Sequence, residues 1–362
     1  MQSSLDHSLF IKKQGTDIVV ILVYVDDMLV AGSNLTLIEQ TKASLHKAFK
    51  IKDIGDLKFF LGMEFSRSGK GILVNQRKYV LEIISQLGIG SAKPSWTPLE
   101  TNIKITTHEL DNLIGESDEE LLENKEQYQS LVGKMLYLTL TRPDIAFSVQ
   151  TLSQFLQQPK KSHWEAALRV MKYVKREPGL GILLSSTRTN TLTVFCDADW
   201  ASCPNTRRSV SGFLVKHGNS LISWKSKKQS VVSRSSAKAE YKSMANEVSE
   251  VVWITTLLKE LGSELDEPVV IFSDSKEALQ IAANPVFHER TKHIEIDCHF
   301  IRQKIQEGLV KTEYVNSKNQ LADILTKGLP RIQHEYLVGK LGVLNVFVPT
   351  SLRGSDEIQE IT

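Results

Sequence analysis

From residue 192 onward the apolar residues change period several times, and the order of those changes constrains the fold more than any other feature. Leu192–Cys196, Ser211–Val215 and Leu221–Trp224 are short apolar runs of strand length. A helical stripe from about Ala237 to Leu261 follows and stops at Gly262, where a helix C-terminus favours glycine. Then come a strand (Val269–Ser273), a helix (Lys276–Ala283), a stripe of Ile294, Cys298, Ile301 and Ile305, a strand (Val310–Val315) and a last helix opening at Asp323. Five strands interleaved with helices in this order predict a mixed α/β sheet flanked by helices.

Upstream, Ile18–Tyr24 is continuous and β-branched, which predicts a buried strand, and Met28–Ala31 returns as its hairpin partner. The carboxylates Asp26 and Asp27 therefore sit at a tight turn. Phe59–Phe65 and Ile72–Val74, joined through Ser66–Gly71, predict a second hairpin, followed by a helix from Arg77 to Leu87 that ends at Gly88. A helical block comes next. Pro143 can open one helix, and Ser162 with Glu165 three residues on is a capping-box signal for the helix bearing Trp164, Leu168, Met171 and Val174.

At 362 residues the chain holds roughly two to three domains' worth of sequence, and 41% hydrophobic with 24% charged residues suits folded domains, not general disorder. Three cysteines (Cys196, Cys203, Cys298) form no CxxC pair, which argues for a reducing compartment, against a disulfide framework and against a zinc ribbon. The longest apolar run is too short to cross a bilayer, so no membrane partner is expected.

A net charge of +2 hides strong segregation. Eight acids lie between Glu109 and Glu126 against Lys125 alone, the pattern of a solvated linker. Between Thr206 and Lys242 nine Lys or Arg residues face only Glu240, with Phe213, Trp224 and Tyr241 among them. Basic charge interleaved with aromatics suits a phosphate backbone. The contacts are assigned to Arg207, Arg208, Trp224, Lys225, Lys227, Lys228, Arg234, Ser235 and, further on, Lys292. The competing reading is a strand edge protected by lysines.

Four carboxylates fall where elements begin or end: Asp197 after the first strand, Glu240 at the start of the long helix, Asp274 after Val269–Ser273, and Asp323 at the last helix. If a fold gathers them, hard oxygen ligands in that number favour Mg²⁺ or Mn²⁺ over zinc. Two such ions could activate water and stabilise the leaving oxygen of a phosphodiester. Ordinary caps and surface acids are the alternative.

The segments YVDDM (Tyr24–Met28), FLGMEF (Phe60–Phe65), YQSLVGKMLYLTLTRPDIAFSV (Tyr128–Val149), CDADWASCPNTRRSVSGFLV (Cys196–Val215), ISWKSKKQSVVSRSSAKAEY (Ile222–Tyr241), NPVFHERTKHIEIDCHFIR (Asn284–Arg302) and NQLADILTK (Asn319–Lys327) closely resemble the C-terminal part of copia-type retrotransposon Pol polyproteins over residues 1–330. The resemblance implies a reverse transcriptase, cut into at its N-terminal side, joined to a ribonuclease H domain that cleaves the RNA strand of RNA/DNA hybrids. By that resemblance Asp197 would bridge two metal ions. Asp323 would help hold the ion that activates water, and Glu240 with Asp274 the ion at the leaving 3′-oxygen. Asp199 is the rival to Asp197. Asp26 and Asp27 would match the polymerase metal pair, but the strand carrying the third aspartate is not in the chain, so polymerase activity is expected to be absent from this chain alone. Cellular ribonucleases H carry a histidine before the last carboxylate; Val315–Asn319 has none, which implies slower or differently assisted turnover.

The implied organisation is a reverse transcriptase palm, primer-grip and thumb remnant (1–105), an acidic linker (106–126), a helical thumb or connection region (127–188), a ribonuclease H-like domain with a mixed five-stranded sheet (189–330) and a C-terminal tail (331–362). The implied partners are an RNA/DNA hybrid and the remaining Pol polypeptide, in a cytoplasmic virus-like particle or the nucleus. The alternative is a nucleic-acid-binding retroelement remnant without turnover. His288, His293, Cys298 and His299 are read as structural, with contact to the hybrid as the alternative, and not as a zinc site.

Overall fold

The computed structural model describes residues 1–101, 104–115, 120–283 and 295–347. Lys292, His288, His293, Ile294 and the acids Glu116, Asp118 and Glu119 of the sequence reading lie outside these residues. Among the described residues no helix is long and apolar enough to cross a membrane.

Strands β1 (Leu9–Gln14), β2 (Asp17–Tyr24) and β3 (Asp27–Gly32) form an antiparallel sheet in that order, and helix α1 (Leu35–Ala48) packs on β2 and β3. Asn34 caps α1 by accepting the Thr36 and Leu37 N–H groups, two of the donors every helix start leaves open. The β2–β3 register closes at Tyr24 and Asp27 around Val25 and Asp26. Val25 is held at φ 51, a conformation costly for a β-branched residue. The expected buried strand is corrected here: β2 forms, but only Val19 of its eight residues is buried, because the sheet is three strands wide and thinly covered.

A second antiparallel sheet is assembled from distant parts of the chain. Strands β4 (Phe59–Phe60), β5 (Met63–Ser68) and β6 (Gly71–Asn75) precede helices α2 (Arg77–Gln86), α3 (His108–Ile114), α4 (Lys125–Leu138), α5 (Ala146–Leu152) and α6 (Lys161–Val174), after which β7 (Gly181–Ser185) pairs back onto β6. The single strand expected over Phe59–Phe65 is broken at Leu61 and Gly62, both with positive φ. Helices α2, α4, α5 and α6 share one core around Val80, Ile83, Tyr128, Met135, Val149 and Met171. Two expectations change in this block. The cap of α6 is Lys160, whose N–H donates to His163 Nδ1 at 3.0 Å, and Ser162 lies inside the first turn. The acidic stretch is no simple linker, since α3 buries Asp111 in an ion pair with Lys160.

The third unit is built from β8 (Leu192–Asp199), β9 (Val210–His217), β10 (Ser220–Lys228), α7 (Ser236–Glu260), β11 (Val269–Ser273), α8 (Lys276–Ala283), α9 (Glu295–Gln306) and β12 (Val310–Tyr314). Its sheet runs β10-β9-β8-β11-β12, with β8, β9 and β10 antiparallel and β8, β11 and β12 parallel. Alternation along β8 places Leu192, Val194 and Cys196 under α7, in a core with Phe213, Val215, Tyr241, Met244, Val248 and Ile271. The opposite face, with Leu214 and Leu221, is covered by residues 321–329, by Ala146 of α5 and by a further helix, α10 (Arg331–Leu341).

Two C-terminal expectations are overturned. Residues beyond Pro330 begin not as a tail but as α10, which buries Leu337 and Leu341, and β13 (Val343–Leu344) then pairs with β7. Leu337 and Leu341, four apart and followed by left-handed Gly342, carried the signal for such a helix. Asp323 opens no α-helix; it lies within a 3-10 turn spanning Leu321–Leu325.

The helical block holds a buried polar cluster where it meets α10. Arg142 and Asp144 are 2% and 1% exposed and form a two-pronged pair, Nε to Oδ1 at 2.9 Å and Nη2 to Oδ2 at 2.7 Å. Tyr173 donates its hydroxyl to the same carboxylate at 2.6 Å, and its ring meets His334 of α10 edge-on.

Candidate metal centre

Each acid reaches the end of the mixed sheet by a different route. Asp197 lies inside β8 and not after it, because the strand runs on to Asp199. Its partner across β9 is Gly212. A Cβ on Gly212 would stand 2.7 Å from Leu325 Cβ and from Thr326 Cγ2, so the missing side chain is what lets the 321–325 turn lie against the strand. Gln320 fastens that turn by donating from Nε2 to the Cys196 carbonyl at 2.7 Å, while its Oε1 accepts the Ala322 N–H. Thr326 donates its hydroxyl to Asp197 Oδ2, and Ser243 of α7 donates to the Asp197 carbonyl at 3.0 Å. Glu240 comes from the start of α7, capped by Ser235, and Asp274 directly follows β11.

Asp197, Glu240 and Asp274 each bring one carboxylate oxygen to within 4.8 Å of the others. Glu240 is 8% exposed, and its Oε2 has no hydrogen-bond partner. The Ala198 N–H donates to this buried carboxyl but leaves Oε2 open, and an oxygen left open at this depth suits a cation. An all-oxygen donor set fits a hard divalent ion such as Mg²⁺ or Mn²⁺. Asp323 stands beside the trio, 2.9 Å from Lys327 Nζ, and that ammonium is 3.6 Å from Asp197 Oδ2.

The electrostatics follow from crowding. Burial, then the negative charges of Asp197 and Asp274, push the Glu240 carboxyl far above its ordinary range. Burial and Asp197 push Asp323 up to about 7. Burial also raises Asp199, against the pull of Lys327. Burial alone would lower the Lys327 ammonium, but Asp197 and Asp323 outweigh it and hold the group charged. Glu247, two turns beyond Glu240 and fully buried, is raised by desolvation, which keeps it protonated above its ordinary range.

Asp26 and Asp27 are exposed at the β2–β3 hairpin, and among the described residues the trio above is the only such acidic grouping. Of the residues assigned to nucleic acid, Arg207, Lys225, Lys227 and Arg234 are exposed and Arg208 is half-buried. Three others are in structural use. The Trp224 indole donates to the Thr139 carbonyl at 2.9 Å, Lys228 Nζ to Gln154 Oε1 at 2.6 Å, and Ser235 accepts the Lys238 N–H as the cap of α7. Trp224 and Lys228 face inward because the helical block covers that side of β10. Cys298 is in the core and His299 is exposed. Gln320, Thr326, Ser243, Gly212 and Lys327 were given no role from sequence. A glycine inside a strand pattern was the one available signal.

Comparison with known proteins places the chain. Residues 1–101 match the family described as reverse transcriptase (RNA-dependent DNA polymerase). The retrovirus-related Pol polyprotein from transposon RE2 of Arabidopsis thaliana is 41% identical over 94% of this chain and 23% of its own length. The polyprotein from transposon TNT 1-94 of Nicotiana tabacum is 33% identical over 88% of this chain and 24% of its own length. A putative transposon Ty5-1 protein of Saccharomyces cerevisiae is 30% identical over 68% of this chain and 78% of its own length. The chain thus spans less than a quarter of the polyproteins it matches, RE2 and TNT 1-94. Among solved structures it is similar to the foamy viral protease-reverse transcriptase in complex with RNA/DNA hybrid (TM-score 0.41, 12% identity, 82% of this chain and 36% of that one). It is also similar to LC11 ribonuclease H1 in complex with RNA/DNA hybrid (TM-score 0.29, 12% identity, 38% and 94%). The chain belongs to the retrovirus-related Pol family of Ty1/copia-type transposons. Its first 101 residues match the reverse transcriptase family, and a mixed five-stranded sheet follows.

Proposed function

We propose that the mixed-sheet unit hydrolyses the RNA strand of RNA/DNA hybrids, with Asp197, Glu240, Asp274 and Asp323 holding two Mg²⁺ or Mn²⁺ ions. The observation that carries this reading is the convergence of three carboxylates from β8, α7 and the end of β11, one of them buried with an oxygen left unpartnered. Bound there, the ions would polarise a water and stabilise the leaving oxygen of a phosphodiester. The chain's own part is to hold the ligands still: Thr326 and Ser243 fix Asp197, and Gln320 fixes the turn that bears Asp323. Water adds across the P–O3′ bond, leaving 5′-phosphate and 3′-hydroxyl ends. Arg207, Lys225, Lys227 and Arg234 are the exposed cations suited to the hybrid's phosphates. Selectivity for the RNA strand would come from contacts to 2′-hydroxyls in the minor groove.

A labelled RNA/DNA hybrid tests this. Mg²⁺-dependent cleavage that EDTA stops and Asp274→Asn abolishes is expected. Salt-sensitive hybrid binding with no cleavage by the unaltered protein would refute it in favour of a binding remnant, a reading the exposed basic residues support by themselves.

A further inference from the structure

The turn that delivers Asp323 ends in a lysine whose head group enters the acid cluster. Lys327 Nζ lies 2.9 Å from Asp323 Oδ1 and 3.6 Å from Asp197 Oδ2. The position is set locally, since the Lys327 N–H donates to the Asp323 carbonyl at 3.1 Å and puts the two side chains one turn apart. It is also set globally, because Gly212 admits the turn and Gln320 fastens it.

The ammonium therefore stands between two carboxylates, Asp197 and Asp323, that the reading above assigns to divalent ions. Mg²⁺ holds its oxygens at about 2.0–2.1 Å, so an ion bridging these two oxygens would stand close to the ammonium, and the two cations repel one another. The two cation positions are thus unequal. Asp197, Glu240 and Asp274 converge around one, whereas the other, between Asp197 and Asp323, has Lys327 against both carboxylates. Its stem is unbranched and its side chain 36% exposed, so it can swing outward without unpacking the core.

We propose that Lys327 is a tethered cation that competes with the second divalent ion for Asp197 and Asp323, so that the site loads one ion readily and the second only as Lys327 leaves. This rests on the divalent-ion reading of the same site. It makes ion loading, and not only substrate binding, a step at which the chain sets its own turnover.

The test is Mn²⁺ binding to the full chain without substrate, followed by calorimetry and by the spin signal of free Mn²⁺. The unaltered protein should bind one ion in a tighter class and a second at least about tenfold more weakly, and Lys327→Met and Lys327→Gln should each strengthen the second by about tenfold or more as one repulsive charge is removed. Lys327→Arg, which keeps the charge, should retain the unaltered pattern. Circular dichroism checks that each variant is folded, and two neutral replacements guard against one failing to fold. Unchanged affinities in both neutral variants overturn the competition while leaving the metal centre standing. Absence of Mn²⁺ binding in every folded form overturns the metal centre itself and the competition with it.

Discussion

Replacing Gly212 by alanine tests how tightly the reaction site depends on one close approach. The added methyl would lie 2.7 Å from Leu325 Cβ and Thr326 Cγ2, and 3.1 Å from the Leu325 carbonyl carbon. Carbon atoms in comfortable contact stand about 3.5–4.0 Å apart, so the 321–326 turn must retreat from β9 by roughly 1 Å. Two of the three obstructing atoms belong to residue 325, one being backbone, so the strain is not relieved by a flexible side-chain end. Overpacking of this kind costs about 1–3 kcal/mol. The retreat also carries away the Thr326 hydroxyl that meets Asp197 and the Asp323 carboxylate, and a 1 Å misplacement at a reacting centre costs on the order of 100-fold in rate. Hybrid cleavage by Gly212→Ala should therefore fall by one to two orders of magnitude while the protein remains folded, with urea denaturation giving the stability change. Unaltered cleavage together with a stability loss below about 0.5 kcal/mol would refute the close-packing argument. A loss of stability with full activity would show that the turn does not need to touch the strand for catalysis.

Asp144→Ala should destabilise the protein by about 3–5 kcal/mol in urea denaturation, since it strands the buried Arg142 guanidinium, while the double change Arg142→Met, Asp144→Leu should recover most of that loss; equal losses in both would refute the stranded-charge argument. The stability of the metal-free protein should depend on pH in the opposite sense to an ordinary salt-bridged acid. Asp323 keeps its proton up to about 7 when folded but loses it near the ordinary aspartate value of about 3.9 when unfolded, so the unfolded chain binds fewer protons in between and stability falls as pH rises from about 4 to 7. Thermal melts in EDTA should show this decline, Asp323→Asn should lessen it while the raised Asp199, Glu240 and Glu247 keep the rest, and an identical profile in the two proteins would contradict the assignment.

Much of the candidate site lies on elements visible from residue patterns. The strands at Leu192, Val269 and Val310, the long helix over Ala237–Leu261 and the positions of Asp197, Glu240 and Asp274 near element ends are local facts, encoded in apolar periods that hold whatever the chain does elsewhere. Where pattern and structure part, burial or distant contact decides. Ile18–Tyr24 has the composition of a buried strand but too little of the fold packs on it. Trp224 looks like a surface aromatic in a basic stretch, yet its indole is taken by Thr139, 85 residues earlier.

By itself, then, the sequence determined the order of strands and helices, the family resemblance and which acids were available. Only the tertiary structure decided that Gln320 reaches Cys196 across 124 residues, that Thr326 reaches Asp197 across 129, and that Lys327 enters the acid cluster. The physical reason is that periodicity reports which side of an element is apolar, whereas the partner of a polar group is set by chain closure over long separations, where a single glycine at position 212 determines whether two segments can touch.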